Sequence, residues 1–134
     1  WLKALNACLA QELKAHALIA AVGDFNIAPE DRDVHDPKLW RGQVLCSEPE
    51  RAALQALLDR GLVDTFRKFE QPPESFTWWD YRMGAFRRGH GLRIDHILCT
   101  ATLAQQCRSC TIDKNPRAAE QPSDHAPVSA EFAL

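Results

Sequence analysis

Ala17-Leu18-Ile19-Ala20-Ala21-Val22-Gly23-Asp24-Phe25-Asn26 is the stretch on which the architecture turns. Its apolar run from Ala17 to Val22 reads as a buried strand, too short for a helix of ordinary length. The strand is expected to end at Gly23, leaving Asp24 and Asn26 on the loop at its C-terminal end. In extended chain, side chains two residues apart project the same way. A carboxylate there can bind metal or take a proton from water, while the amide can donate to a phosphate oxygen. The same residue types build ordinary polar turns, so this motif decides nothing alone.

Working outward, Trp1, Leu2, Leu5, Leu9 and Leu13 recur at helical spacing and predict an amphipathic helix over residues 1 to about 15. Downstream, Ile27 to Ser47 carries Pro29 and Pro37 among mixed charges and reads as a long loop, with Pro49 flanking it. Ser47 and Glu50 form a capping box with Pro49 in the first turn. The helix they open has Leu54, Leu57 and Leu58 inside and should stop at Gly61 in a left-handed cap. Strands are predicted at Leu62–Phe66, Ser75–Trp79, Leu92–Thr100, Cys107–Ile112 and Pro127–Leu134, the last with Val128, Ala130, Phe132 and Leu134 on one face. Residues 80–91 form a basic connection, and 101–106 a helical turn. The class is α+β, a mixed, largely antiparallel sheet flanked by helices.

With 134 residues, 46% apolar and 25% charged, the chain suits one soluble domain over residues 1–134. A net charge of −2 provides no global attraction to nucleic acid, so any such contact needs a local patch. No apolar stretch could span a bilayer and no basic-then-apolar leader opens the chain; no membrane partner and a cytoplasmic location are expected. The cysteines, Cys8, Cys46, Cys99, Cys107 and Cys110, are odd in number and suit buried reduced thiols. Cys107 and Cys110 have metal-site spacing but no second pair.

Asp95 lies within the apolar run Leu92–Leu98, where an unpaired carboxylate is costly. Its partner is expected to be His125 or a cation, with an arginine such as Arg93 as the plainer alternative. His96 should face the opposite side of the strand. Asp124 and His125 precede the final strand, and adjacent side chains diverge, so the two should serve different partners. Around Trp78 and Trp79 the chain turns aromatic, and from Arg82 to Arg93 it holds Arg82, Arg87, Arg88 and Arg93 without an acid. Such a combination suits phosphate contact and wedging into a distorted duplex. Acids, an amide and a histidine at the ends of separate apolar segments suit metal-assisted cleavage of a phosphate ester.

In their order and intervals, Asp24-Phe25-Asn26, Asp33-Val34-His35-Asp36-Pro37, Gly61-Leu62-Val63-Asp64-Thr65-Phe66, Trp78-Trp79-Asp80-Tyr81-Arg82, Gly91-Leu92-Arg93-Ile94-Asp95 and Ser123-Asp124-His125 resemble the second half of an exonuclease III-type apurinic/apyrimidinic endonuclease. The resemblance places the chain in the endonuclease/exonuclease/phosphatase superfamily. It implies half of a two-layer α/β sandwich, with the N-terminal half missing and one sheet face open. It further implies hydrolysis of phosphodiesters with Mg²⁺ (Mn²⁺ as substitute), 5′ to abasic sites and 3′→5′ from duplex ends. Asp24 would orient or deprotonate water or protonate the leaving oxygen, Asn26 would bind the scissile phosphate, and His125, oriented by Asp95, would stabilise the phosphoryl transition state. Asp124, with Asp24 and Asn26, would lie at the metal; Trp78 and Leu92 would line the pocket for an extruded sugar, and Arg82, Arg87 and Arg88 would meet the backbone. The partners implied are double-stranded DNA and either the missing half or a second copy.

The resembling proteins carry an earlier stretch with further metal ligands, whereas this chain opens at Trp1 without an initiator methionine. A fragment with poor activity alone is therefore expected. The rival readings are a related phosphodiesterase acting on another substrate, and a non-catalytic DNA-binding or assembly fragment.

Overall fold

The leucines of the first segment fold as helix α1, Leu2–Ala15, and the capping box opens α3, Glu48–Asp59. Glu50 closes that box by accepting from the Ser47 amide at 3.0 Å and its hydroxyl at 2.6 Å. Gly61, just past the end of α3, has φ of 101°, a region an L side chain rarely enters. Both helices lie on one side of a three-stranded antiparallel sheet of order β1-β5-β2: β1 is Ala20–Asp24, β5 Asp95–Thr100 and β2 Leu62–Asp64. Two hairpin-like pairs complete the strands: β3, Trp78–Trp79, with β4, Gly91–Leu92, and β6, Cys107–Ile112, with β7, Val128–Phe132. Short helices α2, Pro37–Trp40, α4, Ala85–Arg88, and α5, Ala101–Ala104, punctuate the connections. This computed structural model describes all 134 residues. No helix is long and apolar enough to cross a membrane.

The helical side of the sheet carries the main core: Leu9, Phe25, Ile27, Leu54, Leu57, Leu62 and Leu98 form one buried cluster. Each fully buried leucine contributes about 1.5–3 kcal/mol of transfer free energy. A second cluster, Ala28, Val34, Cys46, Leu92 and Ile94, lies under the long loop.

Several expected elements differ. The strand read as buried starts at Ala20, runs through Gly23 to Asp24, and is covered on one face only. Val22 is 66% exposed and Leu18 is exposed too, because nothing in the chain packs over the outer side of β1. The expected strand Leu92–Thr100 is two strands, broken at Arg93 and Ile94. There the Arg93 amide leaves the sheet for the Asp33 carbonyl at 2.9 Å. Leu62–Phe66 stops at Asp64, whose carboxylate caps the Phe66 amide at 3.1 Å and turns the chain into a helical turn. The Ser75 strand is reduced to Trp78–Trp79, and the final strand ends at Phe132 with Leu134 exposed. Within the long loop, Asp36 caps α2 by accepting from the amides of Lys38 and Leu39.

Candidate active site

The β1–β5 register supplies the first site contact. Asp24 stands directly opposite Asp95, Gly23 opposite His96, and Val22 opposite Ile97. Directly opposed residues share a face, so the two carboxylates project together. Two carboxylates so placed need a hydrogen-bond donor or a cation between them. His125 meets them: its Nδ1 lies 2.9 Å from the Asp95 carboxylate and its Nε2 3.9 Å from that of Asp24. A carboxylate can only accept, so Nδ1 carries the hydrogen and Nε2 is left facing Asp24 and, at 4.0 Å, Asp124. Asp95 and His125 line a cleft of about 550 Å³ together with Val22, Ile97 and Val128, and the side chains of Asp24 and Asp124 are likewise half-buried.

The loop carrying His125 is stitched to β3. Ala126 donates to the Thr77 carbonyl at 2.7 Å, Trp79 to the Asp124 carbonyl at 3.1 Å, and the Tyr81 hydroxyl to the Pro122 carbonyl at 2.7 Å. Asp124 and His125 diverge as adjacent residues must: Asp124 accepts from the Trp78 indole at 3.0 Å while His125 goes to Asp95. Asn26 departs from expectation. It is not extended but has φ of 54°, and its amide donates to Asp24 Oδ1 at 2.8 Å, closing a turn. The turn and the site are thus one structure, which two-residue alternation could not reveal.

Other expected site residues are distributed differently. Trp78 is half-buried, paired across the ladder with Leu92 and bridged to His125. Leu92 itself has no exposed surface, so it backs Trp78 from the core instead of lining a surface pocket. Arg82 is exposed and paired in a double hydrogen bond with Asp80, whose carboxyl is thereby held below its usual range. Arg87 and Arg88 end α4, and neither bonds to the acid–histidine cluster. Arg93, counted in the arginine run, is 1% exposed and pairs with Asp33 and Asp64 on the far side of the sheet. It therefore offers nothing to a nucleic acid, and it is not the partner of Asp95. His96 is buried on the side away from the cluster, as its strand position predicts.

Two contributors escaped the sequence reading. Thr77 is fully buried, and its hydroxyl accepts from the amides of Ile94 at 3.0 Å and Asp95 at 3.1 Å. It satisfies the donors freed where β4 breaks from β5, and so sets where Asp95 begins its strand. Arg93 does the corresponding work on the opposite face. A threonine flanked by aromatics carries an ordinary local signal, and Arg93, read as a partner of Asp95 or a phosphate contact, gave no sign of its pairing with Asp33 and Asp64.

Atoms of Asp24, Asp95 and His125 that could ligate a cation lie within 4.8 Å of one another. Asp95 is engaged with His125, so the carboxylate of this group left for a hard cation is that of Asp24, with Asp124 Oδ1 on the same His125 nitrogen at 4.0 Å. Mg²⁺ is commonly held by one or two carboxylates together with waters and substrate phosphate. That donor set fits.

Residues 1–125 match the model of the endonuclease/exonuclease/phosphatase family, and the chain belongs to that family. It is 45% identical over 121 residues to exodeoxyribonuclease III of Haemophilus influenzae, covering 85% of this chain and 45% of that protein. Among solved structures it is similar to the 3′ phosphatase NExo from Neisseria bound to product DNA hairpin, at 43% identity and a TM-score of 0.97, covering 100% of this chain and 52% of that one. An AP endonuclease from Archaeoglobus fulgidus matches at 40% identity and a TM-score of 0.93, again covering 100% and 52%. The chain thus spans about half the length of the relatives it matches, and its mixed α/β architecture with antiparallel strands is that of the AP endonuclease fold.

Proposed function

We propose that residues 1–134 are the C-terminal part of a DNA-repair nuclease domain and provide its acid–histidine catalytic group. The observation that carries this reading is the Asp95–His125 bond of 2.9 Å, which leaves Nε2 facing Asp24 on the same side of the sheet. An imidazole oriented by a half-buried acid presents its second nitrogen to developing negative charge. His125 therefore meets the phosphoryl oxygens, Asp24 orients water or protonates the leaving oxygen, and the Asn26 amide side chain binds the phosphate. Asp24, Asp124 and Asn26 would hold Mg²⁺ or Mn²⁺, which supplies charge neutralisation at the phosphate. Half-buried Trp78 stands beside this group and would contact the nucleotide with Leu92 behind it, while Arg82, Arg87 and Arg88 would lie along the backbone.

The substrate is double-stranded DNA, cut 5′ to abasic sites and trimmed 3′→5′ from its ends. The Neisseria neighbour bears the name of a 3′ phosphatase, so a 3′-phosphomonoester is the second substrate to compare. Because the chain spans about half of its relatives, further metal ligands must come from elsewhere, and the isolated chain is expected to be a poor catalyst. The test is Mg²⁺-dependent incision of abasic duplex by the purified chain, alone and joined to the N-terminal portion of a relative. Strong incision only in the joined protein is expected. Full activity of the chain alone would overturn the assignment of missing ligands, and inactivity of both would favour a DNA-binding fragment.

A further inference from the structure

On the face of the sheet opposite the acid–histidine cluster, His96 is sealed in the core at 2% exposure. Its Nδ1 lies 3.2 Å from Arg93 Nη1, and its Nε2 2.8 Å from the Ile27 carbonyl oxygen. A guanidinium can only donate, so Nδ1 accepts, and the hydrogen resides on Nε2 and is donated to Ile27. Arg93 is itself immobilised. Nε donates to Asp33 Oδ1 at 2.7 Å and Nη2 to Asp64 Oδ2 at 2.8 Å.

Both ends of this relay touch neighbours of the site. Ile27 follows Asn26, and His96 follows Asp95. The Phe25 amide, on the other side of Asn26, donates to the Ile94 carbonyl at 3.0 Å, and the Phe25 ring lies 5.7 Å from that of His96. Asn26 occupies a left-handed conformation, which persists only where the surroundings over-determine it. Ile27, 1% exposed, would have a buried unpaired carbonyl without His96.

We propose that His96, oriented by Arg93, is a positioning residue that holds the Asp24–Asn26 turn in place against Asp95 and His125 through the Ile27 carbonyl. Its consequence for catalysis rests on the nuclease reading; the geometric claim does not. Glutamine reaches the Nε2 position and can keep the bond to Ile27, whereas asparagine stops at the Nδ1 position and keeps only Arg93. The experiment compares His96→Gln, His96→Asn and His96→Phe by amide hydrogen exchange at Phe25, inside the turn, and Ala28, just past Ile27. The Arg51 amide of α3, bonded to the Ser47 carbonyl at 3.0 Å, is the internal reference.

Relative to that reference, His96→Asn and His96→Phe should lose about tenfold or more in protection, and His96→Gln should stay within about threefold of the parent. In the joined, active protein, kcat should fall in the first two and recover in the third, with KM unchanged. Should His96→Phe fail to fold, the Asn and Gln pair still decides. Equal protection in Asn and Gln variants, or a loss tracking melting temperature alike at all amides, would reduce His96 to a core residue and overturn the proposal. The expected exchange pattern in a protein that cleaves no DNA would uphold positioning and overturn the nuclease reading alone.

Discussion

The two faces of the β1–β5 ladder belong to the same strands and carry opposite electrostatics. On the helical face, Asp33 and Asp64 are matched by Arg93 and Arg67, with His96 neutral among them. Burial pushes the Asp33 carboxyl up, but Arg93 and Arg67 outweigh it and hold the group below its usual range. For His96, burial and then Arg93 push the same way, lowering its pKa and favouring the neutral ring. On the outer face, Asp24 and Asp95 oppose each other across the ladder with one imidazole between them and a half-open cleft beside them. The first cluster is closed in charge, with a single buried donor, Arg67 Nε, left unpaired. The second has negative charge in excess, held close despite its repulsion. The comparison teaches that ionisable residues by themselves do not mark a site; what distinguishes the candidate set is that it is uncompensated and lies on the face no helix covers.

Breaking the closed cluster should have the largest effect. Arg93→Met leaves half-buried Asp64 without its cation and fully buried Asp33 with Arg67 alone, and should cost about 3–5 kcal/mol, read by urea unfolding. A loss under about 1 kcal/mol would mean the network is not a structural clamp. At the open cluster the pattern should invert. His125→Asn should reduce cleavage by the joined protein about 10²–10⁴-fold while shifting stability by no more than about 0.5 kcal/mol. An unfolded variant would show that both clusters serve the fold.

The closed cluster should also tie stability to pH. The folded pKa of Asp33 lies below its unfolded value of about 3.9. Its contribution is therefore fully present above that value and is lost as pH falls through the folded pKa. Stability should decline below about pH 4, and Asp33→Asn should flatten that decline in melts recorded across the acid range. Smallest of all, Val22→Thr on the uncovered face should alter stability by no more than about 0.5 kcal/mol while lowering any concentration-dependent association seen by sedimentation. A larger destabilisation would mean that face is packed in solution.

Much of this is legible in the sequence. The Ser47–Glu50 capping box, the leucine stripe of α1 and the divergence of Asp124 from His125 follow from local rules, because each depends on residues within one turn or one strand. The strand break at Arg93 and Ile94 was not legible. It depends on Asp33 and Thr77, distant in sequence, taking amides that a continuous strand would have paired. The turn at Asn26 was missed for a similar reason. Alternation assumes extended backbone, and the left-handed residue that ends it is stabilised by its Asp24 neighbour and by packing behind it.

By itself the sequence determined which residue types stand at the strand ends, where the two long helices start and stop, and the family whose motif order they share. Only the tertiary structure decided that Asp24 lies across from Asp95, that His125 reaches both, and that Arg93 turns inward to clamp His96. Those pairings arise from the register of non-local strands. A shift of one residue would carry every side chain to the other face, and no local propensity encodes that choice.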